Sequence, residues 1–137
     1  RTSIIGPDMN PNGIGLLNWF MQQKNEIYGY LNVKWTGITT LQLAKCIEEI
    51  AEHRWSGLCN VVTEQSISKY ELLNFCNDYI RMDKIKIIPQ KDPILDKSLI
   101  SKRELFKIPD YRFMIEELAK WMDGNSSLYT HYKTVHI

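Results

Sequence analysis

An apolar, β-like run opens this chain, Arg1-Thr2-Ser3-Ile4-Ile5-Gly6, with no initiator Met, turn or cap before it. Helix and strand patterns alternate after it, which restricts the fold to an α/β architecture. No Gly-rich turn able to cradle a phosphate occurs anywhere. The expectation is an α/β sheet protein entered at a late strand: the downstream part of a larger protein, with part of its chemistry upstream of Arg1.

A length of 137 residues suffices for one domain with a real core. The net charge is +1 and no basic block occurs, which disfavours nucleic acid and acidic membranes as partners. The longest apolar runs are far too short to span a bilayer. No positively charged start followed by an apolar stretch marks a signal peptide. Cys46, Cys59 and Cys76 form no C-x-x-C pair and are odd in number. They read as core thiols of a protein in a reducing cytoplasm.

The opening strand ends at Gly6-Pro7, and a turn-rich loop runs to Gly13. Leu16, Leu17, Phe20 and Met21 predict a helix over about 14–24. Residues 27–36 read as a strand or extended arm. Thr39 and Gln42 fit a capping box that starts a second helix, whose apolar face is Leu43, Ala44, Ile47, Ile50 and Ala51. Residues 58–62 predict a short apolar strand. Ser68-Lys69-Tyr70-Glu71 is a second capping box, opening a helix to about Met82. Residues 86–89 predict a strand stopped by Pro89, and residues 90–108 read as polar and irregular. Asp110 is the N-cap of a last helix carrying Met114, Ile115, Leu118, Ala119 and Met122, with Gly124 as its stop. The tail from 124 to 137 is polar and aromatic and reads as poorly ordered.

Five segments then occur in a telling order: Arg1–Gly6, Gly37-Ile38-Thr39-Thr40-Leu41-Gln42-Leu43-Ala44, Gly57-Leu58-Cys59-Asn60-Val61-Val62, Ser66-Ile67-Ser68-Lys69-Tyr70-Glu71-Leu72-Leu73 and Asp96-Lys97-Ser98-Leu99. Over roughly residues 1–122 the chain resembles the C-terminal portion of extended short-chain dehydrogenase/reductases of nucleotide-sugar metabolism. The nearest branch is the dTDP-4-dehydrorhamnose reductase group. The resemblance implies a missing Rossmann-type N-terminal domain that binds NAD(P) through a Gly-rich turn, with no cofactor expected on this part alone. Residues 1–123 would be the substrate-binding portion, of which 1–6 and about 39–63 pack against that missing domain. It also implies a nucleotide-diphosphate sugar as ligand and admits a homodimer. By the same resemblance Thr2 and Ser3 lie toward the cofactor. Trp35, Gly37, Thr39, Lys97, Ser98 and Arg103 lie toward the substrate.

The chain departs from the family's pattern in three respects. The cofactor turn is absent, and the catalytic Tyr-x-x-x-Lys pair would lie upstream of Arg1. Ile94-Leu95-Asp96-Lys97 stands where many members carry Arg-Pro; Lys97 replaces the charge of that arginine but not its bidentate fork. Tyr30…Lys34 and Tyr129…Lys133 match the catalytic spacing, but neither sits in a helical pattern that would put both side chains on one face. Trp35 has the ring to stack on a base or cover a sugar face, although a core tryptophan is the plainer reading. Lys97, Ser98, Lys102 and Arg103 form the densest polar group outside a helix and suit a diphosphate. His131 and His136 lack an acidic partner for a metal site, and His53 suits the end of a helix. The function expected is the substrate-binding part of an NAD(P)-dependent reductase of 4-keto nucleotide-sugars. An epimerase or dehydratase of the same superfamily, or a non-catalytic binding module of the same fold, are the alternatives.

Overall fold

A computed structural model describes residues 1–103 and 105–132. Its element order is β1 (Ile4–Ile5), α1 (Leu16–Gln22), β2 (Ile27–Tyr30), β3 (Val33–Trp35), β4 (Ile38–Thr39), α2 (Thr40–His53), β5 (Ile67–Ser68), α3 (Lys69–Tyr79), β6 (Ile87–Gln90), β7 (Leu95–Lys97) and α4 (Tyr111–Gly124). A 3-10 turn follows at Ser126–Tyr129. The strands form three small sheets. β1 pairs with β4 in parallel, Ile4 opposite Ile38. β2 pairs with β6 in parallel, Ile27 opposite Ile87. β3 lies between β5, antiparallel, and β7, parallel.

The helices start where local chemistry starts them. Ser68 and Glu71 complete a reciprocal capping box on α3: the Ser68 hydroxyl accepts the Glu71 N–H at 3.1 Å and the Glu71 carboxylate accepts the Ser68 N–H at 3.0 Å. Those bonds to Ser68 hold the Glu71 carboxyl below its ordinary pKa. Asp110 caps α4 by accepting the Phe113 N–H at 2.8 Å. All five apolar residues expected on α4 are buried, and four of them, Ile115, Leu118, Ala119 and Met122, cluster with Leu72, Leu73 and Cys76 of α3 and Leu17 and Phe20 of α1. A smaller cluster joins Ile38, Cys46, Val61 and Met114. The end of α1 is closed by Arg81, whose guanidinium is buried and donates to the carbonyls of Phe20 at 2.6 Å and Gln23 at 2.9 Å.

Several expectations change. The arm at 27–36 is two strands separated by a turn. Thr39 caps α2 through its hydroxyl, but the Gln42 amide turns to Cys46 Sγ at 3.7 Å, so the box is half-formed. Residues 58–62 form no strand; the Val61 N–H donates to the Arg1 carbonyl at 2.9 Å, just before β1. Pro89 lies inside β6 instead of ending it. Lys86 and Gln90 accept from Ile27 and Leu31, so the missing N–H of Pro89 falls on the side turned away from β2. β7 lies within the stretch read as irregular, because its three exposed side chains give no apolar period. Gly124 is the last residue of α4, and the cap is Asn125 with φ −126°. In the tail Tyr129 and Tyr132 are buried, and the Tyr132 hydroxyl accepts the Asp8 N–H at 2.8 Å. His136 and Lys133 lie outside the described residues.

On α2 the buried positions are Gln42 and Cys46, while Ala44, Ile47 and Ala51 of the expected apolar face are exposed. Ile47 is 56% exposed, Ile4 53% and Leu58 73%. No helix among the described residues is long and apolar enough to cross a membrane.

Candidate substrate-binding site

Trp35 ends β3 and is only 6% exposed. Its neighbours in register are Ile67 of β5 and Lys97 of β7. The Tyr111 ring lies 6.0 Å away, tilted. The Tyr111 hydroxyl meets that of Thr63 and has two carbonyl oxygens within reach of its one proton, Gln65 at 3.1 Å and Trp35 at 3.4 Å. Burial pushes its pKa up. Over the Trp35 indole, 4.8 Å from the ring centroid, sits the Lys69 ammonium. Burial, reinforced by the charge of Lys97, brings the Lys69 pKa down to about 8.

Gly37 explains why Trp35 and the first strand meet. A Cβ there would stand 2.2 Å from the Trp35 ring and 2.4 Å from the Ser3 carbonyl. Only glycine permits that approach, and the Ile38 N–H then donates to the same carbonyl at 3.0 Å. Ser3, Gly37 and Trp35 are thus brought together. Thr2 lies beside them, its hydroxyl donating to the Ser3 carbonyl at 3.0 Å. Thr39 is buried with its hydroxyl committed to the α2 cap.

Lys97 is exposed next to Trp35 in the sheet register. The Ser98 N–H donates to Asp96 Oδ1 at 2.9 Å and its hydroxyl does the same, which holds the Asp96 carboxyl below its usual range. Arg103 is engaged elsewhere, donating to the carbonyls of Ser56 at 3.2 Å and Leu58 at 3.5 Å. It also lines a cleft of about 960 Å³ beyond residues 58–62, walled by Val62, Thr63, Gln65, Phe106 and Tyr111. Of the residues proposed from sequence, only Arg103 borders that cleft.

Two residues of this region escaped the sequence reading. Lys69 was visible only as the second position of a capping box, and Tyr111 only as the residue after an N-cap. Both have their side chains turned to Trp35, which no sequence period reports. Tyr30 and Lys34 lie on successive strands and share no helix face. The buried Cys46 and Cys76 thiols are pushed up by desolvation, Cys76 to about 12, and all three cysteines are free. Among the described residues no group of three or more His, Cys, Asp or Glu forms a metal cluster.

The short parallel pairs, the capped helices and the sheet around Trp35 form a mixed α/β fold. Three solved structures share it. One is dTDP-4-dehydrorhamnose reductase from Bacillus anthracis in complex with NADP, at TM-score 0.66 and 12% identity, over 84% of this chain. Another is UDP-N-acetylglucosamine 4-epimerase from Methanobrevibacter ruminantium in complex with UDP-N-acetylmuramic acid, at 0.60 and 20%, over 90%. The third is RMD from Pseudomonas aeruginosa complexed with NADPH, at 0.57 and 12%, over 85%. The chain spans only 44%, 44% and 43% of their respective lengths. No family model matches the sequence, and no curated protein matches it significantly.

Proposed function

We propose that this chain is the substrate-binding portion of an NAD(P)-dependent enzyme acting on nucleotide-sugars, with reduction of a 4-keto-sugar as the reaction. The observation that carries this reading is the fold shared with a dTDP-4-dehydrorhamnose reductase over 84% of this chain but only 44% of that protein. The exposed Ile4, Ile47 and Leu58 support it, since exposed apolar side chains on β1, on α2 and in the segment after α2 suit a covering domain. In this reading NAD(P) sits mainly on that other domain, near Thr2 and Ser3. The sugar nucleotide lies along Trp35–Thr39 and Lys97–Arg103. Hydride comes from the cofactor and the proton from a tyrosine of the other domain. The protein acts in the cytoplasm.

A second reading, a nucleotide-sugar epimerase, is favoured by the 20% identity over 90% of the chain with the UDP-N-acetylglucosamine 4-epimerase. The two readings share the binding site and differ in the fate of the hydride.

The test is calorimetric. The chain alone is titrated with NADPH, then with dTDP- and UDP-sugars. The expected result is measurable nucleotide-sugar binding and no micromolar NADPH binding. Micromolar NADPH binding, or the absence of any nucleotide-sugar binding, refutes the assignment.

A further inference from the structure

The loop between β1 and α1 closes in a tight turn that carries the chain's one Asn-Gly step, Asn12-Gly13. Pro11 and Asn12 occupy its central positions. The Gly13 N–H donates to the Asn10 carbonyl at 2.9 Å, and the Asn12 N–H donates to the Asn10 side-chain oxygen at 2.9 Å. Asn10 and Asn12 are exposed. The Asp8 carboxylate lies over Gly13, where a Cβ would collide with it. The turn is tied to α1 by a buried amide. Asn18, 0% exposed, donates from Nδ2 to the carbonyls of Pro11 and Gly13, and Gln22 donates to the Pro11 carbonyl at 3.0 Å.

The side-chain amide carbon of an asparagine is open to attack by the backbone nitrogen of the next residue. A cyclic imide forms as the Cγ–Nδ2 bond breaks, and the amide nitrogen leaves as ammonia with the proton of the attacking N–H. Water then opens the imide at either carbonyl, giving aspartate or isoaspartate; no oxidant or enzyme takes part. A side chain on the attacking residue hinders ring closure, a following proline has no N–H to lose, and a helical hydrogen bond holds the nitrogen away. Asn10 precedes Pro11, and every other asparagine except Asn12 is followed by a residue with a side chain. Asn18, Asn74 and Asn77 also lie inside helices. At Asn12 the bond that must open is the turn bond of Gly13. Its acceptor belongs to the exposed Asn10, where water replaces a hydrogen bond at little cost.

We propose that Asn12 is a site of spontaneous and irreversible backbone modification, deamidation through Gly13, and that its isoaspartyl product loosens the loop from α1. The inference is independent of the nucleotide-sugar reading. Isoaspartate places one more carbon in the main chain before Gly13, which shifts the Gly13 carbonyl relative to Asn18. A fully buried amide then loses a partner and gains no water in exchange. The new carboxylate also arises next to the glycine that Asp8 covers, and the two like charges repel. The helix affected is the one that sends Leu17 and Phe20 into the core.

The folded full chain is aged in mildly alkaline buffer, sampled over weeks, and digested with trypsin. Asn10, Asn12 and Asn18 fall in one peptide, Thr2–Lys24, so fragmentation in the mass spectrometer assigns the mass gained when NH2 becomes OH. Asn12 is expected to convert about tenfold faster than any other asparagine, because only its neighbour lacks a side chain. Isoaspartate at position 12 is read by labelling with an isoaspartyl methyltransferase. Asn12→Gln, which cannot close the same ring, is expected to stay unlabelled on ageing. The aged isoaspartyl form, purified by ion exchange, is expected to unfold at a lower urea midpoint than fresh protein. Asn12→Asp, which adds the charge without the extra main-chain carbon, is expected to lie between the two. Conversion of Asn12 in urea-unfolded chain but not in folded chain overturns the site, since the turn then protects it. Faster conversion of another asparagine in the folded chain does the same. An isoaspartyl form with the urea midpoint of fresh protein overturns the effect on α1.

Discussion

Replacing Lys69 by Met should stabilise the chain at neutral pH, because it removes a half-buried charge from above the Trp35 ring. Methionine keeps the length of the apolar stem that packs on Trp35 and drops the ammonium. In the fold the ammonium pKa falls from 10.5 to about 8, a drop corresponding to about 3 kcal/mol against the charged form. The indole beneath it returns about 1 kcal/mol by cation–π attraction. Water reaches the group in part, which screens the remainder, so about 1–2 kcal/mol is expected. The sign follows from linkage. Between about 8 and 10.5 the unfolded chain holds a proton on Lys69 that the folded chain has lost, so wild-type stability rises with pH across that window. The penalty is fully present below about pH 8 and gone above about 10.5. Urea unfolding of both proteins from pH 7 to pH 11 should show Lys69→Met ahead by that amount at pH 7, with the gap closing at high pH. A variant less stable than wild type at pH 7, or a gap that does not change with pH, refutes the reasoning.

Three other outcomes are open to measurement. Ser68→Ala should lose about 1–2 kcal/mol in urea melts by removing the α3 cap. Part of that loss should fade as pH falls through the carboxylate range, because the Glu71 carboxyl, held low by Ser68, stabilises the fold only while ionised. Leu118→Ala should cost about 2–5 kcal/mol by leaving a cavity between α3 and α4, read from the shift of the urea midpoint. Wild-type chain should self-associate through its exposed apolar side chains, and Ile47→Glu with Leu58→Glu should shift the sedimentation profile toward monomer; a wild type monomeric at all concentrations counts against this.

Sequence reading worked best where local chemistry decides. The Ser68 capping box and the Asp110 cap require only residues three apart, and both are formed. The 3.6 period of Met114, Ile115, Leu118, Ala119 and Met122 is satisfied by contacts that exist within this chain. It failed where partners are distant or side chains carry no period. β7 is a strand because Val33–Trp35 lies beside it, not because Leu95, Asp96 and Lys97 resemble one. Tyr129 and Tyr132 are buried because α1 and the 8–13 loop leave room for aromatic rings. In the candidate site, Trp35 and Gly37 were legible as features but not their relation. Gly37 is required by the approach of Trp35 and Ser3, and Lys69 belongs there only once α3 is docked on β3.

The second helix shows how a correct period can still point to the wrong surface. Leu43, Ala44, Ile47, Ile50 and Ala51 do form one stripe of α2, and the hydrophobic effect predicts that such a stripe is covered. Within this chain the helix buries Cys46 against Ile38, Val61 and Met114, with only Leu43 of the stripe packed on that cluster, and leaves Ile47 open to solvent. A sequence period reports that an apolar face exists; it carries no information on which molecule or domain covers it. The two contacts are different in kind. Cys46 and its neighbours form a small cluster that anchors α2 to this part, while the outer stripe suits a second layer. If the outer stripe is the inter-domain face of a larger enzyme, Ile47→Glu should leave the unfolding free energy of this chain, measured at concentrations where it is monomeric, unchanged within about 0.5 kcal/mol, as surface substitutions do. In the longer protein the same change should cost several-fold more and weaken cofactor-dependent turnover. Equal effects in both contexts would mean that the stripe is surface in the whole protein too, and that the amphipathic pattern of α2 serves no domain contact.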